Sequence, residues 1–107
     1  MNDLDTPLSI AKFQAYIDTK YGETDRARGA PATFVWLIEE VGELATAINE
    51  TEKAADANRQ AARENLEEEF ADVIAWVCTL ANIRGVNLED AIRRKYLNEQ
   101  GGPDGVK

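Results

Sequence analysis

Carboxylates interrupt two otherwise apolar stretches of this 107-residue chain in one pattern, Glu39-Glu40-x-x-Glu43 and then Glu69-x-x-Asp72. The first group falls between Phe34-Val35-Trp36-Leu37-Ile38 and Leu44-Ala45; the second lies among Leu66, Phe70, Val73-Ile74 and Val77. Ionised groups in such surroundings are costly to desolvate unless an opposite charge meets them. No lysine or arginine occurs from Phe34 to Asn49 or from Phe70 to Asn82, so no neighbour in sequence supplies that charge. Spacings of three and four residues put each set on one face of a helix. Two such faces opposed make an oxygen-only cage, suited to a hard divalent cation such as Mg2+, with Mn2+ as a substitute.

The same residues carry a family resemblance. Glu39-Glu40-Val41-Gly42-Glu43-Leu44, followed after residues 44–68 by Glu69-x-x-Asp72, resembles the signature of the MazG-like all-α nucleoside triphosphate pyrophosphohydrolases. Phe13-Gln14-Ala15-Tyr16-Ile17, Tyr21-Gly22, Asp25-Arg26-Ala27-Arg28-Gly29 and Thr33-Phe34-Val35-Trp36-Leu37 are similar to the N-terminal half of small single-domain members. Leu88-Glu89-Asp90-Ala91 through Lys95-Tyr96 is similar to their last helix. The resemblance implies that Glu40, Glu43, Glu69 and Asp72 are metal ligands. It makes Glu39 the remaining acid, which completes a second metal site or orients the attacking water. Lys95 and Asn98 match the family's phosphate-facing pair. The basic or cysteine-rich tail that follows in many members is absent, with Glu99-Gln100-Gly101-Gly102 in its place. Arg26 and Arg28 are therefore candidate substitutes for the terminal phosphate clamp.

The activity implied is Mg2+-dependent hydrolysis of a nucleoside triphosphate to the monophosphate and pyrophosphate, in house-cleaning or pool control. Phosphoribosyl-ATP pyrophosphohydrolase chemistry uses the same metal site and is the nearest alternative. A non-catalytic helical dimer whose acids bind a structural cation is a third reading, from a different class.

Composition narrows the field independently. Hydrophobic residues make up 44 % and charged residues 30 %, an ordinary globular balance in which one domain spanning 1–107 is expected. A net charge of −8 argues against a nucleic-acid partner, and requires a metal or a local basic patch before an anionic substrate can approach. The absence of histidine removes His-based acid/base chemistry, Ser-His or Cys-His nucleophiles, and the Glu-x-x-His iron sites of ferritin-like bundles. A lone cysteine, Cys78, excludes an internal disulfide and reads as a small buried hydrophobe. No membrane span is expected, and the acidic opening Met1-Asn2-Asp3-Leu4-Asp5 lacks the basic start of a signal peptide, so a cytoplasmic location is expected.

Four helices are expected to position these groups, in an all-α, compact, antiparallel domain with a core of about 6–99 and a flexible tail at 100–107. The first is predicted to open at Thr6-Pro7 and run to Tyr21, followed by a connector from Gly22 to Ala32 that holds two glycines and a proline. The second is predicted over Thr33–Asn49. The packed part of the third is predicted from near Ala62 to Gly85, with 51–61 as loop or a separate short helix. Asn87 caps the fourth, which runs to about Glu99.

At about 100° per residue, the acids of the second and third helices flank the main apolar stripe of each, with one tryptophan beside them. Trp36 precedes Glu40 by one turn and Trp76 follows Asp72 by one turn, so antiparallel packing places both indoles at one end of the cage. There they are expected to sandwich or wall a nucleobase. Glu64, Glu67 and Glu68 read as solvated surface. Helices apolar over more than half their circumference predict a homodimer, or a dimer of dimers forming a homotetramer, with each site completed near an interface.

Overall fold

A computed structural model describes residues 7–98. Helix α1 spans Ile10–Arg28, α2 Ala30–Lys53, α3 Arg59–Arg84 and α4 Leu88–Tyr96, with one 3₁₀ turn at Asp56–Asn58 and no strand among the described residues. The expected Thr6 cap and the tail beyond Asn98 lie outside them. Ser9 caps α1 instead, its hydroxyl accepting the Lys12 N–H at 3.0 Å. No helix of the described residues is long and apolar enough to cross a membrane.

The predicted connector from Gly22 to Ala32 is largely helix. Gly22 sits one turn after Asp18 and one turn before Arg26, whose guanidinium meets the Asp18 carboxylate at 2.7 Å. A Cβ on Gly22 would collide with both groups. The glycine thus clears a path for an ion pair that spans two turns, where helix propensity alone predicts a weak point. Arg26 and Arg28 occupy the last turn, at the negative end of the helix dipole. The break itself shrinks to Gly29, at φ 88° and ψ 164°, a conformation that is essentially glycine's alone. Pro31 falls in the first turn of α2, where a missing N–H is harmless.

The α2–α3 pair carries the main tertiary packing. Both helices extend further toward their junction than expected, leaving residues 54–58 to turn the chain. Glu43 stands ten residues before the end of α2, and Glu69 ten residues after the start of α3, about 15 Å in each case. Equal extensions leave the two glutamates opposite one another. α1 lies across the C-terminal half of α3. There the buried Gln14 donates to the Asn82 side chain at 3.0 Å and to the Val86 carbonyl at 2.7 Å, and accepts the Leu88 N–H at 3.0 Å. Gly85, left-handed at φ 68°, ends α3 as expected, and the Asn87 side chain caps α4 by accepting the Asp90 N–H at 3.0 Å.

Few large side chains are buried within one chain. Ile17, Leu37, Ala47, Cys78 and Ala81 form the apolar core, while Phe34, Ile38, Phe70 and Ile74 on α2 and α3 are each at least half exposed. Cys78 is buried, and burial pushes its thiol pKa up.

The α1–α2 junction generates a prediction. Gly29→Ala must place a side chain at a φ that L-residues rarely adopt, at a cost of order 1–3 kcal/mol. Urea denaturation should show a lower midpoint with an unchanged slope; an unshifted midpoint would mean that the junction relaxes freely.

Candidate metal centre

The sequence spacing becomes geometry through the α2–α3 register. Trp36 meets Trp76 at one level, and one and two turns along α2 from there stand Glu40 and Glu43. Carboxylate oxygens of Glu40, Glu43 and Glu69 lie within 4.8 Å of one another. Asp72 stands beside them, exposed, close enough for its charge to act on Glu40 and Glu69 but outside that group of mutually close oxygens. Glu39 is exposed on the other flank and lines a groove of about 430 Å³ with Gly42, Glu43, Thr46, Asn65 and Glu69.

The electrostatics of the cluster are unfavourable without a cation. One oxygen each of Glu40 and Glu69 is shielded from water and has no hydrogen-bond partner. Burial raises the pKa of Glu40 above the ordinary value, helped by repulsion from Glu43, Asp72 and Glu69. Burial likewise raises that of Glu69, with repulsion from Glu43 and Asp72. None of the four ion pairs formed among the described residues involves these acids. Converging oxygens with unsatisfied lone pairs and no counter-charge are a donor set that fits a hard divalent ion.

The indoles lie at the expected end of the cluster, but in contact. Their centroids are 5.4 Å apart at 86°, edge to face, which leaves no slot for a ring between them. The two rings instead present one joint aromatic surface. The Arg28 guanidinium covers it, 4.6 Å from the Trp36 ring and 5.2 Å from the Trp76 ring, within cation–π range. Arg28 also donates Nε–H to Thr33 Oγ1 at 2.9 Å and pairs with Asp25 at 2.8 Å. The second Asp25 oxygen accepts the Thr79 hydroxyl at 3.1 Å. Asp25, Thr33 and Thr79 are all buried, so one polar network ties α1, α2 and α3 together behind the indoles. Sequence reading missed Asp25, Thr33 and Thr79. Their signal was weak, two threonines and an aspartate on three separate helices.

The remaining predicted residues scatter. Arg26 is held by Asp18 and by the Asn82 carbonyl, at 3.4 Å. Lys95 places its ammonium over the Tyr96 ring, and the Asn98 amide donates to the Arg94 carbonyl at 2.7 Å; neither lines the Glu39–Glu43 groove. Glu64, Glu67 and Glu68 are exposed as expected.

Helices alone among the described residues, with one antiparallel pair clasping carboxylates that no basic side chain meets, define a helical acidic-cluster protein. The MazG nucleotide pyrophosphohydrolase domain matches residues 29–97, well over half of the chain, and the chain belongs to that family. The "Uncharacterized protein YvdC" of Bacillus subtilis (strain 168) is 38% identical over 64 residues, covering 54% of this chain and 60% of that protein. The matched stretch thus spans less than two thirds of that relative's length.

The raised carboxylate pKa values set a direction for stability. Protons bind Glu40 and Glu69 more tightly in the folded than in the unfolded chain, so the folded state holds more protons. In metal-free protein this contribution is fully present below the unfolded glutamate pKa, near 4.3, and is lost as pH rises through the folded values. Chemical denaturation in chelator should therefore show stability falling from mildly acidic toward neutral pH. Saturating Mg2+ should flatten that fall; the same slope with and without Mg2+ would separate the cluster from metal binding.

Proposed function

We propose that this protein hydrolyses nucleoside triphosphates to the monophosphate and pyrophosphate, using Mg2+ held by Glu40, Glu43 and Glu69, with Asp72 as a further ligand. The convergence of three carboxylates with orphaned oxygens, in a chain of the MazG family, is the observation that carries this reading. A divalent cation bound there neutralises phosphate charge and makes water more acidic. Glu39, on the open flank of the groove, accepts a proton from the attacking water and orients it toward the phosphorus next to the nucleoside. The Trp36–Trp76 wall at the other end sets where the nucleoside lies. The resemblance gives Lys95 and Asn98 the part of donors to the leaving pyrophosphate; to take it they must turn from the Tyr96 ring and the Arg94 carbonyl that they meet in this structure. Arg28 is a poor phosphate clamp, because Asp25 already balances its charge.

The apolar faces bear on assembly. Phe34, Ile38, Phe70 and Ile74 are each at least half exposed on α2 and α3 in one chain, and exposed apolar residues gathered on one pair of helices mark an interaction surface. The protein accordingly functions as a homodimer or a dimer of dimers that buries these faces. Light scattering at micromolar concentration should give a multiple of the 11.9 kDa chain mass, and Phe70→Glu should lower it; a fully active monomer would overturn the assembly.

Pyrophosphate release measured over a panel of triphosphates, with and without Mg2+, tests the activity, and phosphoribosyl-ATP belongs in the panel. Glu43→Gln removes one charge at nearly constant volume. It should depress turnover by more than the roughly 10–100-fold typical of losing an outer-shell partner. The metal-free variant should be at least as stable as the parent, because repulsion is relieved. Glu68→Gln, exposed and outside the cluster, is the control and should change little. A Glu43→Gln protein of full activity would remove the carboxylates from the mechanism.

A further inference from the structure

The groove of about 430 Å³ between α2 and α3 has an order along its length. Glu39 stands toward the indole end, Glu43 and Glu69 at the middle, and Thr46 and Asn65 at the far end. From Glu39 to Thr46 the α2 backbone rises about 10 Å. On α3, which runs the opposite way, Asn65 precedes Glu69 by one turn, about 6 Å, and so comes level with Thr46. The polar group at that far end is unused. The Asn65 carboxamide is exposed and forms no hydrogen bond with another described residue. By contrast, Gln60, earlier on α3, donates to Glu64 at 2.9 Å, and the Thr46 hydroxyl donates to the Gly42 carbonyl at 3.2 Å. Asn65 is also the one uncharged polar residue in Arg63-Glu64-Asn65-Leu66-Glu67-Glu68-Glu69. It brings two N–H donors to a place where a carboxylate would bring none.

We propose that Asn65 holds the leaving pyrophosphate at the far end of this groove, donating its N–H groups to the departing phosphate oxygens. This deepens the triphosphate reading and rests on it. Phosphoryl transfer needs the attacking oxygen, the phosphorus and the leaving oxygen in one row, and the groove supplies that row. At one end Glu39 takes a proton from the water. The water oxygen bonds to the phosphorus next to the nucleoside, at the level of Glu43 and Glu69. The bond from that phosphorus to its bridging oxygen breaks, and the electron pair leaves with pyrophosphate toward Asn65. Among the described residues neither Lys95 and Asn98 nor any other lysine or arginine lines the groove, so the donor there is a neutral one. Neutrality suits the place. An acid at position 65 would repel the departing anion, and a lysine would pair with Glu43 or Glu69 before substrate arrived.

Two variants test the far end without touching the carboxylates. Asn65→Leu keeps the approximate size and removes the donors, and Asn65→Asp keeps the shape and puts a negative charge in their place. Position 65 is exposed, so folding is spared. Calorimetric titration with inorganic pyrophosphate at saturating Mg2+ should give a dissociation constant raised roughly tenfold or more in Asn65→Leu, the scale of one hydrogen bond to a charged group. Asn65→Asp should raise it further. Affinity for nucleoside monophosphate should stay as in the parent, because that product is held at the other end. Single-turnover hydrolysis should slow in the same order as pyrophosphate binding weakens. The Mg2+-induced rise in melting temperature should persist in Asn65→Leu and persist or grow in Asn65→Asp, which separates a donor to the anion from a ligand of the cation. Unchanged pyrophosphate affinity in Asn65→Leu, an equal loss of monophosphate affinity, or an Asn65→Asp protein that binds pyrophosphate as the parent does overturns the assignment. A parent that binds pyrophosphate through Asn65 yet releases none from any triphosphate would sink the hydrolytic reading and leave an anion site standing.

Discussion

Repulsion among Glu40, Glu43 and Glu69 is the constraint around which the rest of the molecule is organised. Oxygens of three acids within 4.8 Å, some shielded from water and none met by a basic side chain, would drive apart two helices held only at that point. The α2–α3 pair resists because its contact continues on both sides of the cluster. Toward the tight turn at residues 54–58 the helices stay paired for about 15 Å. In the other direction Trp36 and Trp76 lock edge to face, and the Arg28 network fastens them to α1. The cluster is therefore held from both ends. Such an arrangement would preorganise the proposed cation site, because the cost of bringing the acids together is met during folding rather than at binding.

Much of this was legible in the sequence, and the reasons differ from element to element. Three-and-four spacing fixes which acids share a helix face, so the convergence of Glu40, Glu43 and Glu69 needed only an antiparallel partner. The indoles followed from the same register. Segment ends were harder. The third helix was expected to start near Ala62 because a long helix 3 would overshoot Glu43, an argument that held helix 2 fixed at Asn49. α2 and α3 instead lengthen together, to Lys53 and from Arg59, and the overshoot cancels. Pairwise geometry of that kind is invisible when each helix is judged alone.

The region from Gly22 to Ala32 misled for a related reason. Two glycines and a proline are local signals for a break, and only Gly29 acts as one. Gly22 leaves room for the Asp18–Arg26 pair, and Pro31 merely occupies a first turn. The Asp25–Arg28–Thr33–Thr79 network was hidden more deeply, since its members sit on three helices and only the three-residue spacing of Asp25 and Arg28 links any of them. A buried ion pair of this sort adds little net stability over an apolar replacement. Its presence next to the indoles is better explained by the orientation it imposes than by the energy it contributes.

The small core completes the picture. Among the described residues only Ile17, Leu37 and three smaller apolar residues are deeply buried, less interior than a self-sufficient domain of this size is expected to have. Its large apolar residues are instead spread over the outer faces of α2 and α3, the same helices whose inner edges carry the acids. Covering those faces would also stiffen the helices that resist carboxylate repulsion. Stability and metal readiness are then coupled through one pair of helices. A cleft of about 370 Å³ between α1 and α3 lies on another side of α3, lined by Tyr21, Asp25, Arg28 and Trp76. Helix α3 can thereby serve three surfaces at once, an apolar outer face, an acidic edge and an aromatic cleft, because successive residues along it point about 100° apart.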